Sequence, residues 1–175
     1  MRDQLTKLYN RHYLLEIAEK AIKEAVCFSK PLSIIVIDID HFKKLNDAHG
    51  HQVGDHVLAS VAEFLLAAMQ PTDVAARFGG EEFVLVLSHC TLNEAKAKAE
   101  KLRSKLQQLQ PIGLEVTASF GVSALEIISG EASFNMLFKL ADNAVYQAKN
   151  EGRNRVIVAS ANEPESSGFS EVLLQ

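Results

Sequence analysis

The segment Leu32-Ser33-Ile34-Ile35-Val36-Ile37-Asp38-Ile39-Asp40 is almost wholly apolar until it closes on two aspartates. A run of this kind, without polar alternation, predicts a strand covered on both faces, hence the centre of a sheet packed with helices. Side chains alternate along a strand, so Asp38 and Asp40 share a face, at the carboxyl end where open α/β sheets bind ligands. Acids placed there cost desolvation unless something pairs with them. For Asp40 a cap on the following helix and a ligand role are both open. For Asp38 a metal ion is the favoured partner.

Roughly forty residues on, Arg77-Phe78-Gly79-Gly80-Glu81-Glu82-Phe83 sets paired glycines and paired carboxylates between the strand-like runs Val74-Ala75-Ala76 and Phe83-Val84-Leu85-Val86-Leu87. Gly79 and Gly80 fall where a two-residue hairpin turn needs positive φ, and their missing side chains let a ligand approach the backbone. Glu81 and Glu82 then sit at the rim. Adjacent acids suit a hard cation or a proton transfer, while a solvated turn is the plain alternative. If this hairpin neighbours the first strand, Asp38 and Glu81 can share Mg²⁺, which takes one or two protein carboxylates and completes its shell with phosphate and water.

With 175 residues, 47% hydrophobic and 23% charged, the chain has the makings of one globular domain with a sizeable core. A net charge of −4 without a block of basic residues argues against a nucleic-acid partner. Cys27 and Cys90 form neither a disulfide framework nor a metal-ligand spacing, so both are read as packing residues in a reducing cytoplasm. No apolar run reaches membrane-spanning length and no signal peptide is visible, which predicts no direct membrane contact. The expected location is the cytoplasm, or the cytoplasmic part of a larger, membrane-attached protein. His49 and His51 lack companion ligands and are assigned to packing or loop hydrogen bonding. Phe42, Phe78, Phe83 and Phe120 read as core or pocket wall, and no Gly-x-Ser-x-Gly elbow supports a serine nucleophile.

Apolar periodicity predicts helix near 11–28, strand 32–40, helix 55–69, strand near 73–78, strand 82–87, helix near 92–109, strand 114–123, helix 133–150 and strand 154–159. This alternation describes an α/β (α+β) mixed sheet packed with helices. Residues 160–175 turn polar and contain Gly, Pro and Ser, which reads as a frayed tail in which Val172-Leu173-Leu174 could dock.

Several ordered motifs accompany the hairpin. They are Asp3-Gln4-Leu5-Thr6-Lys7-Leu8-Tyr9-Asn10-Arg11, Asp38-Ile39-Asp40-His41-Phe42-Lys43-Lys44-Leu45-Asn46-Asp47 and Gly50-His51-Gln52-Val53-Gly54-Asp55. Further on come Ser119-Phe120-Gly121-Val122-Ser123, Ala141-Asp142-Asn143-Ala144-Val145-Tyr146-Gln147-Ala148-Lys149 and Gly152-Arg153-Asn154. Together, at these separations, they resemble the catalytic domain of diguanylate cyclases, the GGDEF family, in its variant with Glu at the third signature position. The resemblance covers about residues 2 to 159, which makes 1–159 the domain. It implies the palm-like fold of nucleotide cyclases, a ferredoxin-like βαββαβ core with additions and a mixed, largely antiparallel sheet.

The activity so implied is condensation of two GTP into cyclic di-GMP with release of two pyrophosphates, across a homodimer, with Mg²⁺ or Mn²⁺ as cofactor. Asp38, the Ile39 carbonyl and Glu81 match the metal positions, and Glu82 the group that assists the attacking 3′-hydroxyl. Asn46 and Asp55 match the guanine contacts, where an amide and a carboxylate meet the donors and acceptors of the base. Lys149 and Arg153, helped by Lys43, match the triphosphate contacts, with Gly79, Gly80 and Phe42 completing the substrate site. From the residues alone, Asp55 reads as an N-cap, Asn46 as a turn residue after a short helix, and Lys149 and Arg153 as cations favoured at a helix end stopped by Gly152.

One departure concerns regulation. Many family members carry an inhibitory product site, Arg-x-x-Asp, where this chain reads Gln70-Pro71-Thr72-Asp73. Glutamine lacks the cationic fork, so the site is degenerate and feedback inhibition through it is expected to be weak or absent. Domains of this kind follow sensory or coiled-coil segments, and such a regulatory region is expected upstream. A catalytically silent GTP-binding or dimerisation module is the alternative function. An adenylate-type cyclase is disfavoured by Asn46 and Asp55.

Overall fold

The computed structural model describes residues 1–160. In chain order it contains α1 (Arg11–Cys27), β1 (Leu32–Ile39), α2 (Phe42–His49), α3 (His51–Ala67), β2 (Val74–Arg77) and β3 (Glu82–Ser88). There follow α4 (Leu92–Leu109), β4 (Ala118–Ala124), α5 (Phe134–Asn150) and β5 (Val156–Val158). The sheet order is β2-β3-β1-β4-β5, antiparallel throughout except for the parallel pair β4 and β5. β3 lies between β1 and β2, and β1 between β3 and β4, so the crossovers through α2–α3 and through α4 each skip one strand. That is the ferredoxin-like βαββαβ arrangement, to which α5 and β5 are added.

β1 is the central strand. Ile35, Ile37 and Ile39 pack with Val57, Leu58 and Val61 of α3 and Leu102 and Leu106 of α4 on one face. On the other, Ile34 and Val36 meet Leu14, Ala18 and Ile22 of α1 and Leu137, Ala141 and Val145 of α5. Each fully buried side chain of this size contributes about 1.5–3 kcal/mol relative to exposure, so this strand end is held rigidly. α5 presses so closely on β4 that a Cβ at Gly121 would overlap the Ala141 carbonyl. Side-chain caps begin three helices: Asn10 accepts from the Tyr13 amide, Thr91 from Glu94 and Ser133 from Met136.

Three boundaries differ from the periodic reading. Gly50, at φ 88°, ends α2 and starts α3, so helix runs from His51 and not from residue 55. β4 begins at Ala118, since residues 114–117, which follow the 3₁₀ turn Pro111–Gly113, do not join the strand that reads from 114. β5 is shorter than 154–159 because Arg153 and Asn154 adopt φ of 64° and 44°, outside extended geometry. Cys27, His49 and His51 are exposed and do not pack inside. The expected tail lies outside the described residues apart from exposed Ser160.

Candidate active site

Antiparallel register sets Asp38 opposite Glu82 of β3 on one side and Ser119 of β4 on the other. The hairpin therefore does neighbour the first strand. The Ile39 amide donates to the Glu81 carbonyl at 3.2 Å, which fixes Glu81 beside the end of β1. From α5, Lys149 Nζ approaches Asp38 Oδ1 to 3.0 Å. Asp142 stands two helical turns before Lys149 and faces the same group of acids.

Burial pushes the Asp38 carboxyl above its usual range; the Lys149 bond and charge oppose this, while the charges of Glu81 and Asp40 add to it. Glu82 is pushed up to about 7, first by burial and then by Asp142 and Asp38, against the pull of Lys149. Asp142 is also raised, by burial, with Lys149 opposing. Four carboxylates thus share one ammonium, an excess of negative charge that a divalent cation complements. Among the described residues no group of three or more His, Cys, Asp or Glu could hold a metal by itself. Mg²⁺ does not require one, since it binds through one or two carboxylates and keeps water and phosphate ligands. Asp38 and Glu81 fit that pattern.

The glycine loop is built differently from the expected two-residue turn. Neither Gly79 nor Gly80 has positive φ. Residues 78–81 form the connection, closed by the Phe78 and Gly79 amides on the Glu82 carbonyl at 2.8 and 3.3 Å. Arg77 clamps the loop from within: Nε donates to the Gly79 and Gly80 carbonyls at 3.2 Å each, and Nη2 to Gly80 at 2.8 Å. Its Nη1 reaches both oxygens of Asp3 at 3.3 Å. Although burial opposes it, hydrogen bonds from Thr6 and the charge of Arg77 hold Asp3 below its usual range. Apart from its chain neighbours, no described residue comes within 4 Å of a Cβ built on Gly80, so glycine here keeps the approach open, as the sequence suggested for a different backbone.

Asn46 lies inside α2, not in a turn, and its buried Oδ1 has no hydrogen-bond partner among the described residues. An orphaned buried acceptor costs about 1–3 kcal/mol, so Asn46 is suited to a ligand donor. A Cβ at Gly54 would overlap that oxygen and come within 3.2 Å of the Phe42 ring. Gly54→Ala is therefore expected to displace Asn46 and lower stability by about 1–3 kcal/mol, read as a shift in the urea midpoint. Asp55 follows Gly54 within α3, exposed and past the helix start, so it is no N-cap. Phe42 is a core residue, and Lys43 is exposed beside it.

Asp40 is neither a cap nor positioned as a ligand. Its carboxylate accepts from Thr117 Oγ1 at 2.7 Å, Ser119 Oγ at 2.6 Å and the Asn154 amide at 3.0 Å. Gly152, at φ 115°, stops α5 as expected, and Arg153 follows without a salt bridge to any described acid. Asp73 accepts from the Gln70 amide at 3.0 Å and pairs with Lys98 at 3.2 Å, which occupies it as a turn lock. A groove of about 550 Å³, lined in part by Phe64, Lys98, Lys101 and Leu102, runs between α3 and α4, away from the acids of β1 and β3.

Comparison with known proteins gives this arrangement a family. The model for "Diguanylate cyclase, GGDEF domain" matches residues 1–155. The chain belongs to the GGDEF family. It is 38% identical over 165 residues to the Escherichia coli (strain K12) protein named "Probable diguanylate cyclase DgcT", covering 90% of this chain and 35% of that one. The chain thus spans about a third of that relative's length. The GGDEF domain of DgcB from Caulobacter crescentus, solved in complex with c-di-GMP, matches with a TM-score of 0.83 and 31% identity over 93% of both chains. The active GGEEF domain of a diguanylate cyclase from Vibrio cholerae matches at 0.82 and 33% identity, over 87% of this chain and 97% of that one.

Three features of this GGDEF domain escaped the sequence reading. The Asp3–Arg77 clamp joins residues 74 apart in the chain, with only the position of Arg77 before the glycines as a hint. Asp142 was visible as the residue seven before Lys149, a spacing that stacks two side chains on one helix face. The Asp40 network had no signal, because Thr117, Ser119 and Asn154 are ordinary polar residues until the fold gathers them.

Proposed function

We propose that this domain condenses two GTP molecules into cyclic di-GMP, as one half of a homodimer in which each subunit presents one nucleotide. The observation that carries the reading is the assembly of Asp38, Glu81, Glu82 and Lys149 at one end of the sheet, with Asp38 opposite Glu82 in register and 3.0 Å from Lys149. Asn46 and Asp55 select guanine, and Lys149, Arg153 and Lys43 hold the triphosphate by charge-assisted hydrogen bonds. Asp38, the Ile39 carbonyl and Glu81 would hold Mg²⁺, or Mn²⁺ in its place, which when bound supplies Lewis-acid neutralisation of phosphate charge.

Glu82 receives the proton of the 3′-hydroxyl on a carboxylate oxygen. The 3′-oxygen forms its bond to the α-phosphorus of the partner's GTP as the bond to the β-phosphate breaks and pyrophosphate leaves. Two such transfers close the ring. Positioning the two nucleotides supplies much of the acceleration, because bringing reactants together in the right geometry removes an entropic barrier. The domain works in the cytoplasm under an upstream regulatory region, and no helix among the described residues is long and apolar enough to cross a membrane.

A dimer-dependent reaction has a concentration signature. Activity per milligram with GTP rises as the domain is concentrated, and ATP gives no cyclic product; turnover of ATP would overturn the guanine assignment. Feedback through the degenerate Gln70 and Asp73 site is weak or absent, so added cyclic di-GMP leaves the initial rate close to unchanged at concentrations well below those that compete with GTP. Potent inhibition relieved by Asp73→Ala would contradict this. A domain that binds GTP yet makes no product, even as a forced dimer, would be the silent binding module.

A further inference from the structure

Beyond the groups that meet the nucleotide, the buried carboxylate of Asp40 connects the metal-binding end of β1 to the phosphate-binding end of α5. α5 stops in a Schellman pattern, with the Gly152 amide on the Lys149 carbonyl at 3.4 Å and the Arg153 amide on Ala148 at 2.9 Å. Arg153 and Asn154 then both take left-handed φ, 64° and 44°, a conformation that asparagine adopts readily but that costs a residue such as arginine energy which its surroundings must offset. The surroundings are explicit. The Asn154 amide donates to Asp40 Oδ2 at 3.0 Å. Its side chain accepts from Arg103 Nη1 at 3.0 Å and donates to Gln107 Oε1 at 3.2 Å. The Arg153 carbonyl accepts from Arg155 Nε at 3.1 Å.

Asp40 is only 7% exposed and pairs with no described cation. Two hydroxyls and one amide satisfy it, and its own amide donates to the Thr117 carbonyl at 2.9 Å. It lies two residues beyond Asp38 on the same rigid strand end. By contrast, the Arg153 guanidinium makes no salt bridge to a described acid, and the contacts that hold this segment are made by its backbone and by Asn154.

We infer that Asp40 is a positioning residue: by holding the Asn154 amide it locks the left-handed Arg153–Asn154 pair and sets where the Arg153 guanidinium stands relative to Asp38. The inference rests on the GTP reading above, and it concerns a residue that touches neither nucleotide nor metal. It also explains why a buried acid is used where hydrophobic residues would pack. The carboxylate joins β1, β4 and the segment after α5 in one network, so the cation that meets phosphate is registered to the acids that serve the reacting groups.

The test uses calorimetry with a GTP analogue blocked between the α- and β-phosphates, alongside an NMR titration with guanosine. Asp40→Ala is expected to weaken the analogue about tenfold and leave guanosine unchanged, because guanosine lacks the phosphates that Arg153 meets. Asp40→Asn keeps close to full affinity, since its amide oxygen can accept from Asn154 while its NH₂ donates to Ser119 Oγ. Thr117→Val, which removes one hydroxyl but not the Asn154 bond, stays near wild type. Combined with Arg153→Ala, Asp40→Ala adds no further loss, the coupling expected of residues acting as a unit. Unchanged analogue affinity in Asp40→Ala, equal weakening of guanosine, or losses that add fully would each overturn the inference. A wild-type domain that binds no analogue, or an Arg153→Ala variant that binds it normally, would instead remove the GTP reading and this inference with it.

Discussion

Replacing Glu82 with glutamine lowers kcat for cyclic di-GMP synthesis by roughly 10²–10⁴-fold, the range lost with a general base, while making the folded domain more stable at pH 8. The two effects have one origin. Burial and the charges of Asp142 and Asp38 push Glu82 up to about 7, so its ionised form is disfavoured in the fold. Between its ordinary value of 4.5 and about 7 the folded state binds more protons than the unfolded one, and stability falls as pH rises through that window. Above it the penalty is complete. Glutamine has the same shape but carries no charge, so the variant gains about 1–2 kcal/mol at pH 8 after allowance for solvent screening of a half-exposed group. Below pH 4.5 the two proteins converge. Thermal unfolding at pH 4 and pH 8 measures this; a variant less stable than wild type at pH 8 would contradict the account of the site's electrostatics.

Asp38→Asn is expected to reduce kcat by roughly 10³-fold, the scale of several kcal/mol of metal-borne charge stabilisation, and to shift the Mg²⁺ requirement to much higher concentration. Guanosine binding is expected to be untouched, since Asn46 and Asp55, the proposed guanine contacts, lie on α2 and α3. Loss of activity without loss of guanosine binding is therefore the signature, read from a metal titration of the rate beside a binding titration. The substitution also releases Lys149 from its 3.0 Å ion pair. Both side chains are partly exposed, so stability changes by no more than about 1 kcal/mol. Full activity at ordinary Mg²⁺ would remove Asp38 from the metal site.

The extent to which these residues could be read from the chain follows from how local their signals are. β1 was legible because an unbroken apolar run has few alternatives to a doubly covered strand, and Asp38 followed as its terminal acid. Helix α4 came through at its full length because Thr91 caps it and its apolar residues recur on one face. The α2–α3 boundary did not, since Gly50 and Gly54 read as loop residues, whereas Gly54 is a helical glycine required by the close approach of Asn46. The Gly79-Gly80 pair announced an open turn but not its φ values. Those depend on Arg77, whose grip on two carbonyls and on Asp3 is a tertiary fact. Asp40 was misplaced for the same reason: every described partner of its carboxylate lies at least 77 residues away in the chain. Motif order identified the family; the roles of supporting residues emerged only when distant segments were brought together.

The most direct measurement is to incubate the concentrated domain with GTP and Mg²⁺ and follow cyclic di-GMP and pyrophosphate by chromatography, with Glu82→Gln and an ATP reaction alongside. The account predicts two pyrophosphates for each cyclic di-GMP, formed from GTP alone and lost in the variant. GTP that is bound but returned unchanged at every protein concentration, even when a fused coiled coil holds two copies together, would contradict it.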